Sequence, residues 1–163
     1  MLRSLLVLVL CAVCASTERQ RKKKANPVPS LARGWGESLE WAKSYEEGLA
    51  KMVKSGKPLM VIHHKEDCQF SQALKKVFAA EKSIQKMAKE HFVMLNTVEE
   101  TWDPNMTPDG SYVPRILFVD PSMTVRTEIK GKYSNRQYTY EPGDMAHLLQ
   151  SMKQAKVRLH TEF

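Results

Sequence analysis

The chain has 163 residues, with 25 Lys and Arg against 18 Asp and Glu, and 42% of its residues are hydrophobic. That length holds one domain and hardly two, and the apolar and charged fractions exclude wholesale disorder and a collagen-like repeat. Three cysteines cannot build the framework of a disulfide-rich secreted module.

The first residues read as a targeting segment. Arg3 precedes an apolar run from Leu5 to Val13 that is too short to cross a bilayer. Val13-Cys14-Ala15 puts small residues where a signal peptidase reads. Residues 1–15 are therefore expected to be a cleaved signal peptide, and no later stretch is long or apolar enough to span a membrane. Cleavage removes Cys11 and Cys14 and leaves Cys68 as the one cysteine of the mature chain. A lone thiol in an oxidising compartment is either buried and inert or free to pair with another chain.

Charge is concentrated ahead of the domain. Arg19, Arg21, Lys22, Lys23 and Lys24 stand beside Glu18, whereas from residue 25 onward 19 basic residues face 17 acidic ones. Residues 16–32, with Pro27 and Pro29 and no apolar period, read as a flexible basic arm that is solvated and disordered. Such a run also suits acidic glycans, anionic lipid or an acidic protein, but a signal peptide directs the chain away from nucleic acid.

The domain is placed at 33–163. Ser44-Tyr45-Glu46-Glu47 fits a capping box, Tyr45, Leu49, Met52 and Val53 give the helix an apolar face, and Gly56 stops it. Leu59 to Ile62 is a continuous apolar run, which suits a strand buried on both faces. A polar loop, His63 to Cys68, leads into a helix from Gln69 with Ala73, Leu74, Val77 and Phe78 at helical spacing. Ile84, Met87 and Ala88 mark a further helical segment, and Phe92 to Thr97 a second inner strand. After a loop broken by Pro104, Pro108 and Gly110, Ile116 to Val119 forms a third strand, entered through Pro114. Thr124 to Ile129 reads as a fourth. Asp144 caps a final helix with Met145, Leu148, Met152, Ala155 and Leu159 on one face. The order implies a parallel pair joined by a helical crossover, then an antiparallel hairpin. The fold class is α/β: a mixed four-stranded sheet with helices on both faces, in the thioredoxin arrangement.

Cys68 sits where a buried strand ends and a helix begins. The free N–H groups and partial positive charge of a helix start favour a thiolate, the nucleophilic form. Cys68-Gln69-Phe70-Ser71 places a hydroxyl where a C-x-x-C pair has its resolving thiol. The site can form a mixed disulfide but cannot resolve it, so isomerisation or client holding is within reach and net oxidation is not. A buried inert cysteine is the competing reading, and the polar neighbours Lys65, Glu66, Asp67 and Gln69 oppose it. Glu66 and Asp67 should temper the acidity, because nearby carboxylates disfavour a second negative charge.

Over residues 31–159 the chain resembles the anterior gradient family, a thioredoxin-like branch of the protein disulfide isomerases. The runs that carry the resemblance are Ser30–Gly36 (SLARGWG), Lys57–His64 (KPLMVIHH), Cys68–Ala79 (CQFSQALKKVFA), Ser111–Pro121 (SYVPRILFVDP) and Tyr133–Arg136 with Tyr140-Glu141-Pro142. The resemblance implies a single-cysteine C-x-x-S site at Cys68 and Ser71, and a cis-proline opposite the thiol at Pro114. It also implies residence in the endoplasmic reticulum with some secretion, and help in maturing secretory clients such as mucins. Extracellular ligands, and hence a cell-surface receptor, belong to the same picture. Homodimers are implied too, with Glu47 and Lys51 pairing across the interface; by spacing alone these two are an i,i+4 pair on one helix.

Three positions depart from redox-active thioredoxins. Ile62 replaces the buried acid six residues before the cysteine, and Asp67 replaces the tryptophan just before it. The terminal His160-Thr161-Glu162-Phe163 matches a retrieval tetrapeptide only loosely. Asn105-Met106-Thr107 is an N-glycosylation sequon followed by Pro108. His63-His64 lacks enough partners for a metal and reads as a surface or site-rim pair. Asn105 to Ile116 fails as a calcium loop at its twelfth position. No phosphate loop or catalytic triad spacing appears, so no cofactor is expected. The sequence thus points to a luminal folding helper working through Cys68, with a secreted binding module as the alternative.

Overall fold

The computed structural model describes residues 29–99, 101 and 103–157, so the expected signal peptide, all but the end of the basic arm, and His160–Phe163 lie outside the described residues. Packing begins with the last residues of the arm segment. Arg33 N–H closes a turn on the Ser30 carbonyl at 3.1 Å, and Ala32 is buried.

Three strands form the sheet, in the order β2-β1-β3. β1 (Leu59–His63) is buried along its whole length, as its unbroken apolar run requires. β2 (Val93–Thr97) pairs with it in parallel, Val61 opposite Leu95, and β3 (Arg115–Val119) pairs antiparallel, Val61 opposite Leu117. The parallel pair is joined through two helices, α2 (Gln69–Ala80) and α3 (Lys82–His91), while α1 (Tyr45–Ser55) precedes the sheet and α4 (Met145–Lys156) follows it.

Alternation along the strands divides the core. Met60, Ile62, Met94, Ile116 and Phe118 face Leu74, Phe78, Ile84, Ala88, Leu148 and Met152 of α2, α3 and α4. Leu59, Val61, Leu95, Leu117 and Val119 pack on the other side with Met52 of α1, Met106 and Tyr138. Period-two strands between helices on both faces produce this layering.

The helix boundaries follow from local chemistry. Ser44 accepts the Glu47 N–H at 3.2 Å, and Gly56 ends α1 in the left-handed region at φ 67°. The return bond of the expected capping box lands one residue earlier: Glu47 Oε2 accepts from the Lys43 N–H at 3.2 Å. Val53, assigned to the apolar face, is 57% exposed, and Met52 alone reaches the core from that turn. Asp144 occupies the N-cap of α4, but its carboxylate serves the preceding turn, accepting from the Glu141 N–H at 3.0 Å and the Tyr133 hydroxyl at 2.9 Å.

The fourth strand expected over Thr124–Ile129 does not form. Only Val125 bridges to Val119, after which the chain folds on itself through Thr127 N–H to Val125 and Ile129 N–H to Arg126. Arg126 turns inward instead, 5% exposed, to Asp120 at 3.7 Å, to Glu128 and to the Val157 carbonyl. A buried guanidinium needs several acceptors at once, and a strand offers its side chain only one face.

Two consequences for stability are measurable. A Cβ on Gly131 would stand 2.3 Å from the Thr139 carbonyl oxygen, a backbone atom that cannot swing aside. Gly131→Ala should cost about 2 kcal/mol or more by urea unfolding. His63 is 3% exposed, and burial, then the Arg115 and His64 charges, hold its pKa down at about 3, from 6.5. The unfolded chain therefore takes up a proton that the folded chain refuses, and stability is lost as pH falls from 6.5 toward 3. His63→Phe should flatten that part of the pH–stability profile.

Candidate functional site

β1 ends against the sheet's edge of polar residues, and a short turn carries the chain into α2. Cys68 N–H donates to the Lys65 carbonyl at 3.3 Å, and the Cys68 carbonyl accepts from Gln72 N–H at 3.0 Å. This makes Cys68 the N-cap of α2, extended at φ −90°, and leaves it partly exposed with no disulfide. No N–H meets the full geometry of a cap bond to the sulfur, yet those of Ser71 and Phe70, with the Ser71 hydroxyl, act on it. Burial is the largest single influence and raises the thiol pKa. The donors together outweigh it and the nearby Asp67 charge, so the net pKa lies below that of an ordinary cysteine.

Ser71 is fully buried beneath the thiol. Its oxygen accepts the Lys65 N–H at 3.3 Å, which ties the turn to the helix start. The Glu66 carboxylate is engaged by Lys75 at 3.0 Å and by Gln72 at 3.2 Å, and the Asp67 charge raises the thiol pKa, as expected of a neighbouring carboxylate. Ile62 lies in the core, so no carboxylate sits below the thiol at that position.

The Val113–Pro114 peptide bond is cis, as the resemblance implied. Pro114 is held by Thr139, whose hydroxyl donates to the Pro114 carbonyl at 3.1 Å. Phe70 and Ala73 of α2 face Val113, Pro114, Tyr140 and Pro142 across a groove of about 460 Å³. Phe70 is 63% exposed, an unusual position for a ring of that size. The groove thus joins the first turn of α2 to the cis-proline loop.

The remaining predicted residues lie elsewhere. Glu47 and Lys51 pair within α1 at 3.0 Å, and Lys51 also meets Glu40 at 3.0 Å. Asn105 is exposed in a 3-10 turn, Pro104–Met106, its amide donating to Asp103 at 2.9 Å. His63 and His64 are both buried, not surface or rim residues. His64 packs edge-on to Trp35 at 5.3 Å, with its Nε2 3.3 Å from Asn96 Oδ1. That same oxygen accepts from Arg33 at 3.0 Å, and the Asn96 amide donates to the Leu31 carbonyl at 2.8 Å. Asn96, Gln72 and Lys75 belong to no site motif of the sequence. The only signal was a polar residue inside an apolar strand and two polar residues on the first turns of a helix after Glu66.

The strand-to-helix thiol and the cis-proline loop define a thioredoxin-like domain. The thioredoxin-like family profile matches residues 40–121. A thioredoxin from Thermus thermophilus superposes with a TM-score of 0.54 at 20% identity, covering 74% of this chain and 88% of that one. Among curated proteins, anterior gradient protein 3 of Homo sapiens is 55% identical over 157 residues, 96% of this chain and 95% of the relative. Anterior gradient protein 2 homolog of Homo sapiens is 60% identical over 133 residues, 82% and 75% of the two chains. Anterior gradient protein 2-B of Xenopus laevis is 51% identical, covering 99% and 97%. The chain belongs to the anterior gradient family.

Removing the Ser71 hydroxyl takes a donor from the sulfur and an acceptor from Lys65. Ser71→Ala should therefore raise the Cys68 pKa. Below that pKa the thiolate fraction falls, so iodoacetamide alkylation at pH 7 should slow about two- to fivefold.

Proposed function

We propose that the protein is a folding helper of the secretory pathway that forms mixed disulfides with client proteins through Cys68. The observation that carries this reading is the partly exposed sulfur at the start of α2, with its pKa lowered by the Ser71 and Phe70 donors. A thiol sealed in apolar packing would not support it.

The chemistry is an exchange without net redox change. The Cys68 thiolate attacks one sulfur of a client disulfide, a Cys68–client bond forms, and the other client sulfur leaves as a thiolate. Ser71 cannot reverse this, because an alcohol is a poor nucleophile at neutral pH and its side chain is fully buried. Release requires a client thiolate to attack the mixed disulfide, which returns Cys68 and leaves the client with a rearranged pairing. The groove between Phe70 and Pro114 would seat the client segment next to the cysteine.

The proposal extends to the setting. Residence in the endoplasmic reticulum, partial secretion, and clients of the mucin kind follow the family assignment. Homodimerisation through Glu47 and Lys51 requires each to trade its partner within α1 for one on a second chain, a step that a 3.0 Å contact between partly exposed groups does not oppose strongly. Among the described residues no helix is long and apolar enough to cross a membrane.

The test is chemical trapping. Secretory cells expressing the protein are quenched with N-ethylmaleimide and run on non-reducing gels. Mixed-disulfide bands are expected for the native chain and absent for Cys68→Ser. If client maturation proceeds equally with Cys68→Ser, the thiol reading fails and an extracellular binding role takes its place.

A further inference from the structure

We propose that Lys75 latches the Glu66 carboxylate aside and so reserves the start of α2 for the Cys68 sulfur, which makes Lys75 a positioning residue for the thiol chemistry and Glu66 the competitor it restrains. The inference rests on Cys68 being a working thiol, as argued above.

Glu66 lies two residues before Cys68, in the turn that leads into α2. A loose carboxylate there would be drawn to the helix start, because its free N–H groups carry the positive end of the helix dipole. Those are the N–H groups that serve the sulfur, so carboxylate and thiolate would compete for them. The structure shows the carboxylate turned the other way, along the outside of the helix. Glu66 Oε2 accepts from Lys75 Nζ at 3.0 Å and from Gln72 Nε2 at 3.2 Å. The Glu66 backbone carbonyl accepts from Gln72 Nε2 at 2.7 Å, which fixes the turn itself. The other carboxylate oxygen faces His64 Nδ1 at 3.7 Å.

Lys75 is fitted to this task. Only 12% of its side chain is exposed. Its methylenes lie across Gly34, where an added Cβ would stand 3.3 Å from Lys75 Cδ and where φ is +83°. A packed stem holds the ammonium in place before pairing, so the ion pair costs less side-chain entropy than one between two free surface chains. The latch is thus met by His64 from the end of β1, Gln72 and Lys75 from α2, and Gly34 from the N-terminal turn. The neighbouring charges are Asp67 and Lys65 in the turn and Arg33, which Asn96 engages. Asp67 and Glu66 are both exposed, and the Asp67 charge raises the thiol pKa.

The experiment follows the pH profile of Cys68 alkylation by iodoacetamide in the folded, full-length mature chain. Lys75→Met keeps the stem over Gly34 and removes the charge. It should move the profile to higher pH and slow the reaction at pH 7 about three- to fivefold, the scale of one unscreened charge near a surface site. Adding Glu66→Gln to Lys75→Met should restore the native rate or exceed it, because the competitor is gone. Lys75→Arg should stay within about twofold of native. A native profile for Lys75→Met, or a double variant no faster than the single one, overturns the proposal. Glu66→Gln alone covers the case in which Lys75→Met does not fold: a rate at or above native supports the latch, and a slower one refutes it. A small alkylating reagent needs no client, so failure here is separate from failure of the trapping experiment.

Discussion

A helix start leaves its first N–H groups without partners inside the helix, and whatever is set against them decides how that end of the molecule behaves. At the start of α2 the group is a sulfur atom. Ordinary caps are hydroxyls or carboxylates, which satisfy the donors and do nothing further. A thiol in the same place is only partly satisfied, and the unspent field of the donors draws it toward its charged form. The sheet fixes β1 in depth, the turn from Lys65 to Asp67 fixes the approach, and the buried Ser71 hydroxyl locks the two together. Removing any of these would leave a cysteine, but not this one.

The bracing of that corner is polar and buried, which makes it costly unless every group finds a partner. Asn96 serves Arg33, His64 Nε2 and the Leu31 carbonyl with a single amide side chain, whereas the buried Trp35 Nε1 and His64 Nδ1 of the same corner find no hydrogen-bond partner among the described residues. The N-terminal turn is thereby attached to the ends of β1 and β2. Trp35 adds a ring beneath His64 and another contact to Phe78 at 5.4 Å. The turn over Gly34 and the turn that leads into Cys68 are thus held as one unit, and Lys75 spans both.

Much of this was readable in the sequence. The apolar run Leu59–Ile62 suits an inner strand and Leu74 and Phe78 fall at helical spacing, which places Cys68 between the two elements, and both elements form. The cis geometry at Pro114 came from resemblance, since nothing in the residue types themselves separates cis from trans. The fourth strand failed because Thr124–Ile129 alternates well enough for a strand, while the deciding factor, the inward turn of Arg126, depends on acceptors at Asp120, Glu128 and Val157. His63 and His64 read as a surface or site-rim pair because they lack partners for a metal, and it is the depth of β1 and the presence of Asn96 that place them inside. The direction taken by Glu66 was out of reach for a similar reason: its partner lies nine residues on, across a helix turn, and Gly34 had to make room for it.

The depth of Ser71 has a temporal meaning. In a site with two cysteines the protein owns the clock, since its second sulfur limits how long any partner stays attached. Under the proposed exchange, a sunken hydroxyl at that place would pass the duration of each encounter to the guest, whose own thiol would have to return before the tether breaks. Each guest joined by such an exchange would carry the thiol that its own broken disulfide released, so a guest that keeps this sulfur near the tether would leave quickly and one whose folding carries it away would linger. The length of a stay would then be set by the guest's geometry, with no timing element in the host.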